Sequence, residues 1–243
     1  PGGPNGISFG PDCGLYICNN GGSFGEVDFL GLTFPGPMVE ADYIGGRIQR
    51  LDMETGELKD VYTECNGNKL RGPNDMVFDA HGGMWFTDHG IRHGRHADLS
   101  GIYYAKTDGS MIKEVVFPTD SPNGIGLSPD GNTLYWAETH TGRVFKLAIT
   151  APGETAPFSA IDPSACLVGL PGVQLFDSLA VDGDGNVCVA TLGLEAAGIT
   201  VISPEGVVLE QIPTGDPLTT NICFGGPDFK TAYITLSGTG RLV

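Results

Sequence analysis

Short apolar runs, broken by turn residues at regular intervals, organise this chain. The stretch PNGISFGPDCGLYICNNGG from Pro4 returns as PNDMVFDAHGGMWFTDHG from Pro73 and as PNGIGLSPDGNTLYWAETHTG from Pro122. Two further copies, DSLAVDGDGNVCVA from Asp177 and NICFGGPDFKTAYIT from Asn221, keep the same frame. Each opens on a polar lead residue: Asn5, Asn74, Asn123, Asp177 or Asn221. Seven residues on stand Asp12, His81, Asp130, Asp184 and Asp228, and eleven or twelve residues on stand Tyr16, Trp85, Tyr135, Cys188 and Tyr233.

Each copy predicts a hairpin: a short apolar strand, a tight turn such as SPDGN or DGDGN, then a strand of period-two alternation. Further strands are predicted in SGIYYAKTDGS and MIKEVVF, and in GGRIQRLD and GELKDVYTE, which METG joins. That makes four strands per unit, and no helical period of useful length appears. The leads are 69, 49, 54 and 44 residues apart. The first gap is long because SFGEVDFLGLTFPGPMVEADY adds a loop. Four-stranded units of about 40 to 50 residues are the signature of a β-propeller, whose blades stack because none can bury both faces alone.

In a propeller the first strand of each blade lines the central channel, so the five leads are expected to form a ring at one level. Amide and carboxylate oxygens in a ring suit a hard cation such as calcium, which takes about six to eight oxygen ligands. The alternative is that these residues only cap turns. Capping does not require one fixed level in the fold, so five leads in one frame favour the ring.

Composition narrows the picture. A chain of 243 residues with 38 Gly, 17 Pro and 40% hydrophobic residues is turn-rich and able to build a core. A formal net charge of −16 repels phosphate backbones, so nucleic acid is excluded as a partner class, and that charge also suits a bound cation. No apolar run approaches the roughly 18 residues of a membrane span. The six cysteines contain no C-x-x-C pair, against zinc knuckles and thioredoxin-like chemistry. Cys18, Cys188 and Cys223 lie in apolar runs and are expected to be small buried hydrophobes. Reduced thiols in a cytoplasmic protein are the simplest reading.

The phrases RGPNDMVFDAHGGMWFTD, SPNGIGLSPDGNTLYWAET and TNICFGGPDFKTAYIT closely resemble the gluconolactonase, senescence marker protein and luciferin-regenerating enzyme group, over nearly the whole chain. That resemblance implies an all-β, six-bladed β-propeller with one divalent metal in the channel, and a lactone hydrolase activity. Residues 1–243 are then one propeller domain with about five blades visible. The family's first blade, whose glutamate ligand sits in a phrase like EGP, and the closure of the last are expected to lie outside this sequence. By resemblance Asn74, Asn123 and Asp177 are metal ligands, and Asp177 is also the catalytic base. Arg71 and Asn74 are similar to substrate-orienting residues, and Asn5 and Asn221 are placed to contact substrate hydroxyls. Ser178 follows Asp177 where many relatives have glycine. The expected cofactor is Ca2+, with Mg2+, Mn2+ or Zn2+ as alternatives, and the expected partner is a small-molecule lactone. An organophosphate hydrolase and a noncatalytic metal-stabilised scaffold are the competing readings. Which lactone is used, and the oligomeric state, are not encoded legibly.

Several literal motifs carry no such chemistry. DGDGN lacks the sixth-position glycine and twelfth-position glutamate of an EF-hand and is expected to be a hairpin turn. GGSFG matches G-x-S-x-G, but no helix follows Ser23, so no nucleophile elbow is expected. Gly90 and Gly94 argue against a helix through His89, His93 and His96. A loop over the channel mouth is expected there, with His89 as a possible substrate contact and the rest solvated. Trp85, Tyr135 and Trp136 are expected to pack inside blades.

Overall fold

Apolar and polar residues alternate through the repeats, and strands form where they do. The computed structural model describes residues 2–29, 31–159 and 161–243, in which five antiparallel sheets follow one another along the chain. The first blade runs Pro4–Phe9, Leu15–Asn19, Arg47–Leu51 and Leu58–Tyr62 in sheet order. The second runs Pro73–Phe78, Gly83–Asp88, Ser100–Lys106 and Ile112–Thr119. In the third, Pro122–Leu127, Thr133–Glu138 and Arg143–Ala151 are consecutive, and both Glu154–Thr155 and Cys166–Gly169 pair with the last of these. The fourth comprises Leu175–Val181, Val187–Leu192, Gly198–Ile202 and Val208–Pro213. The fifth has three strands, Thr219–Gly225, Thr231–Leu236 and Arg241–Leu242. This is the all-β propeller architecture that the repeat predicts, with five blades in this chain. Among the described residues there is no α-helix, and so none long and apolar enough to cross a membrane.

Three expectations need correction. The insertion after the first hairpin is not a plain loop: Gly25–Phe29 and Leu32–Gly36 pair as a hairpin of their own. The histidine segment likewise contains a tiny hairpin, with Arg92 opposite Ala97 and His93 opposite His96. Gly94, at φ 57°, supplies the left-handed turn that closes it. Cys223 is exposed, whereas Cys18 and Cys188 are buried as predicted. Period-two alternation puts every second residue of a strand on the other face, and Cys223 falls on the open face of the fifth blade.

The chain divides into two compact units: Pro1–Glu26, Pro35–Pro122 and Ile149–Ala156 form one, and Val27–Phe34, Asn123–Ala148 and Pro157–Val243 the other. In the first unit, Tyr16, Cys18 and Ile48 of the first blade pack against Met76, Met84, Phe86 and Tyr103 of the second. In the second unit, Tyr135, Ala137 and Val144 of the third blade meet Phe176, Leu179 and Val189 of the fourth. Ala190 and Ile199 of the fourth blade then meet Ile222 of the fifth. Trp85 and Trp136 are fully buried, the latter stacked on Phe145 with ring centroids 5.1 Å apart. The aromatic positions of the repeat are therefore core residues, with Tyr233 as the exposed exception.

Asp216 ties the start of the fifth blade to its end. Its carboxylate accepts hydrogen bonds from Leu218 N (2.8 Å), Thr239 N (2.9 Å) and Thr239 Oγ1 (2.6 Å). Burial works against the charge, but these bonds outweigh it and hold the Asp216 carboxyl below the ordinary 3.8. A carboxylate whose folded-state pKa is depressed stabilises the fold above its unfolded pKa, and that stability fades as pH falls through the folded value. Asp216→Ala is therefore expected to cost about 3 kcal/mol near neutral pH, from the loss of charge-assisted hydrogen bonds. Urea titrations should show the difference from the parent shrinking below about pH 4. An unchanged difference at pH 3 would contradict this.

Candidate functional site

Every lead residue enters on the first strand of its blade. Asn5, Asn74 and Asn123 are second in their strands, and Asp177 and Asn221 are third. The residues seven positions on lie in turns, as the repeat frame requires.

In the first unit Asn74 is 3% exposed, and its Oδ1 is buried without a hydrogen-bond partner. An unsatisfied buried polar atom of this kind costs about 1–3 kcal/mol, so it marks a position that a ligand or ion can relieve. The backbone leading into Asn74 is fixed by Asp88. Its Oδ2 accepts from Arg71 N (2.7 Å), and its Oδ1 accepts from Gly72 N (2.7 Å) and Gly90 N (2.9 Å). Burial pushes the Asp88 carboxyl up, and these three amides oppose that push. Arg71 is exposed, with Nε donating to Asp98 Oδ2 at 2.9 Å and the guanidinium 5.7 Å from the Tyr43 ring centroid. The first two blades approach closely at their lead strands. A Cβ placed on Gly6 would stand 2.5 Å from the Asn74 carbonyl oxygen, so only glycine fits beside Asn5. Asn5 itself is exposed.

The second unit repeats the arrangement. A Cβ on Gly124 would stand 2.4 Å from Leu179 N and 2.8 Å from the Asp177 carbonyl oxygen. The backbone that carries Asn123 therefore abuts the backbone that carries Asp177. Asn123 is buried, and its Nδ2 donates to Thr139 Oγ1 at 3.1 Å, which sets which way the amide is turned. Asp177 is half-buried, and its Oδ1 accepts from Ser178 N at 3.0 Å. Asn221 is half-buried, and its Oδ1 accepts from Ile222 N at 2.7 Å. The strand pairs thus bring Asn5 toward Asn74 and Asn123 toward Asp177.

The repeat frame carried one more signal. Fourteen or fifteen residues after a lead, at the end of the second strand, stand Asn19, Asp88, Glu138 and Thr191, all buried. These polar residues lie beside the lead strands, and counting on through the frame would have found them. His89, beside Asp88, is buried with its ring edge-on to Phe24 at 5.6 Å, whereas His93 and His96 are exposed. Ser23 is followed by a strand, so it is no nucleophile elbow, yet its buried Oγ has no hydrogen-bond partner. DGDGN is a turn, in which Asp182 Oδ1 accepts from Asp184 N and Asn186 N.

Among the described residues no group of three or more His, Cys, Asp or Glu side chains could hold a metal. The expected ligands are a different donor set, two asparagines and one aspartate. Neutral amide oxygens with one carboxylate are acceptable to a hard divalent cation, and the orphaned Asn74 Oδ1 fits that role.

A propeller with amide and carboxylate side chains at matching strand starts is the class that fold and residues define. Residues 1–238 match the SMP-30/Gluconolactonase/LRE-like region, and the chain belongs to that family. Lactonase drp35 of Staphylococcus epidermidis (strain ATCC 12228) is 34% identical over 140 residues, covering 57% of this chain and 41% of the relative. The chain thus spans less than half the length of that relative. A gluconolactonase structure from Xanthomonas campestris superposes with a TM-score of 0.72 at 22% identity, over 97% of this chain and 69% of the other. A calcium-binding protein, regucalcin, from Agrobacterium tumefaciens gives 0.68 at 18% identity, over 96% and 81%. At these identities the two structures establish the fold.

Proposed function

We propose that this chain belongs to a metal-dependent hydrolase that opens the ring of a small lactone. The observation that carries the reading is the buried Asn74 Oδ1 without a partner, on a strand start equivalent to those of Asn123 and Asp177. A related lactonase and a calcium-binding structural neighbour support it. By the family resemblance, Asn74, Asn123 and Asp177 are the residues that would hold the divalent ion, Ca2+ first among the candidates. When bound, that ion supplies Lewis-acid polarisation of the lactone carbonyl.

The chain's residues do the rest. Water adds to the carbonyl carbon as the Asp177 carboxylate takes its proton. The Ser178 amide on Oδ1 fixes the orientation of that carboxylate. The ring C–O bond then breaks, the departing oxygen takes the proton held by Asp177, and a hydroxy acid leaves. Arg71 and Asn74 orient the ring oxygens, and Asn5 and Asn221 contact its hydroxyls. Ser178 is buried, with its backbone beside Gly124, and its hydroxymethyl, where many relatives have glycine, bears on the substrate range.

The test is a side-by-side assay of sugar lactones and organophosphate esters with calcium present. Lactone turnover on the order of 1–10³ s⁻¹ is expected, the usual enzyme range. Turnover of the phosphorus esters alone would replace this reading with the phosphotriesterase one. Bound metal with no turnover of either would leave a scaffold.

A further inference from the structure

The chain has 13 Lys and Arg against 29 Asp and Glu, yet one cavity of about 340 Å³ is lined by three cations, Arg47, Lys69 and Arg71. No acidic side chain lines it. The rest of the wall is Tyr43, Ile44, Gly45, Gly46, Thr63 and Leu70. The cations are not equivalent. Arg47 is a fixed wall: its Nε and Nη2 donate to the Gly45 carbonyl, Nη2 also donates to the Ile44 carbonyl, and Nη1 meets Asp60 Oδ2 at 3.2 Å. Lys69 pairs with Glu64 at 2.6 Å, but both side chains are mostly open to solvent. Such an exposed pair is worth about 0–1 kcal/mol and exchanges readily. Arg71 is held from behind. Asp98 takes its Nε, the Tyr43 ring lies beneath the guanidinium, and Tyr43 Oη donates to the Arg71 carbonyl at 2.7 Å. Among the described residues, neither terminal nitrogen has a protein partner. A guanidinium anchored through Nε with its fork open is pre-organised for bidentate recognition of a carboxylate.

We propose that the Arg47–Lys69–Arg71 cavity is a carboxylate-binding subsite, and that the ligand class of this protein is anionic: a lactone bearing a carboxylate, or the hydroxy acid that ring opening yields. This rests on the lactonase reading for the word lactone, but the subsite itself rests on the cavity alone. The pocket shares Arg71 with the segment that runs into Asn74, so a ligand anchored there lies next to the lead strand.

The test separates the two. Binding of gluconate, with sorbitol as the neutral polyol control, is measured by calorimetry on the full chain, apart from any turnover. Gluconate is expected to bind at least tenfold more tightly than sorbitol. Lys69→Gln should weaken gluconate at least fivefold and leave sorbitol unchanged, and Arg71→Gln should weaken gluconate at least fivefold. Hydrolysis of a neutral lactone by Lys69→Gln should keep the parent kcat/KM, while KM for a carboxylated lactone rises by a similar factor. Equal binding of the two probes, or gluconate binding indifferent to both substitutions, overturns the subsite. Selective gluconate binding without lactone turnover upholds the subsite and overturns the lactonase reading.

Discussion

Asp177→Asn is expected to lower lactone kcat by about 10³-fold while the protein stays folded. A positioned general base contributes about 10²–10⁴-fold, and asparagine cannot take the proton. The substitution is nearly isosteric, and its amide oxygen can still accept from Ser178 N. Asp177 is only half-buried, so its replacement leaves no large cavity. With the ion stripped from both proteins, an unfolding free energy within about 1 kcal/mol of the parent, beside near-complete loss of turnover in calcium, is the expected pair of results. Full activity in this variant would remove Asp177 from the chemistry.

Dialysis against a chelator should abolish turnover, and calcium should restore it. An orphaned amide oxygen buried at Asn74 costs free energy until something occupies the position. An ion bound by the folded state alone also adds stability, about 2.7 kcal/mol at a concentration a hundredfold above its dissociation constant. The chelated protein should therefore unfold at lower urea as well as lose activity. Loss of activity without any shift in stability would indicate an ion that the folded chain does not hold through Asn74. Unchanged activity would remove the metal from the mechanism.

Much of the fold was legible because a propeller writes its geometry repeatedly. Period-two alternation located the first two strands of every blade, and the frame from Asn5 to Asn221 placed each lead on the first strand of its blade. The buried Tyr16, Trp85 and Tyr135 followed from the same frame. The insertion after Asn20 was misjudged because GEVDF and LTFPG are mostly exposed, so their pattern reflects pairing with each other and not burial. Cys223 was misjudged because an apolar neighbourhood does not say which face of a strand a residue occupies. At the site, strand position was readable but side-chain environment was not. Nothing in PND announces that Asn74 is sealed off while Asn5, in PNG, stands open. Asp88 was overlooked because its role is to hold three backbone amides, a job defined by loop geometry that only the folded chain displays.

The central claim is that the lead residues are ligands of a cation. Anomalous diffraction from crystals grown with calcium or manganese tests it most directly. The account predicts one strong peak with Asn74 Oδ1, Asn123 Oδ1 and an Asp177 carboxylate oxygen as ligands, at about 2.3–2.6 Å for calcium. A peak held by other residues, or none at these three under saturating metal, would contradict it.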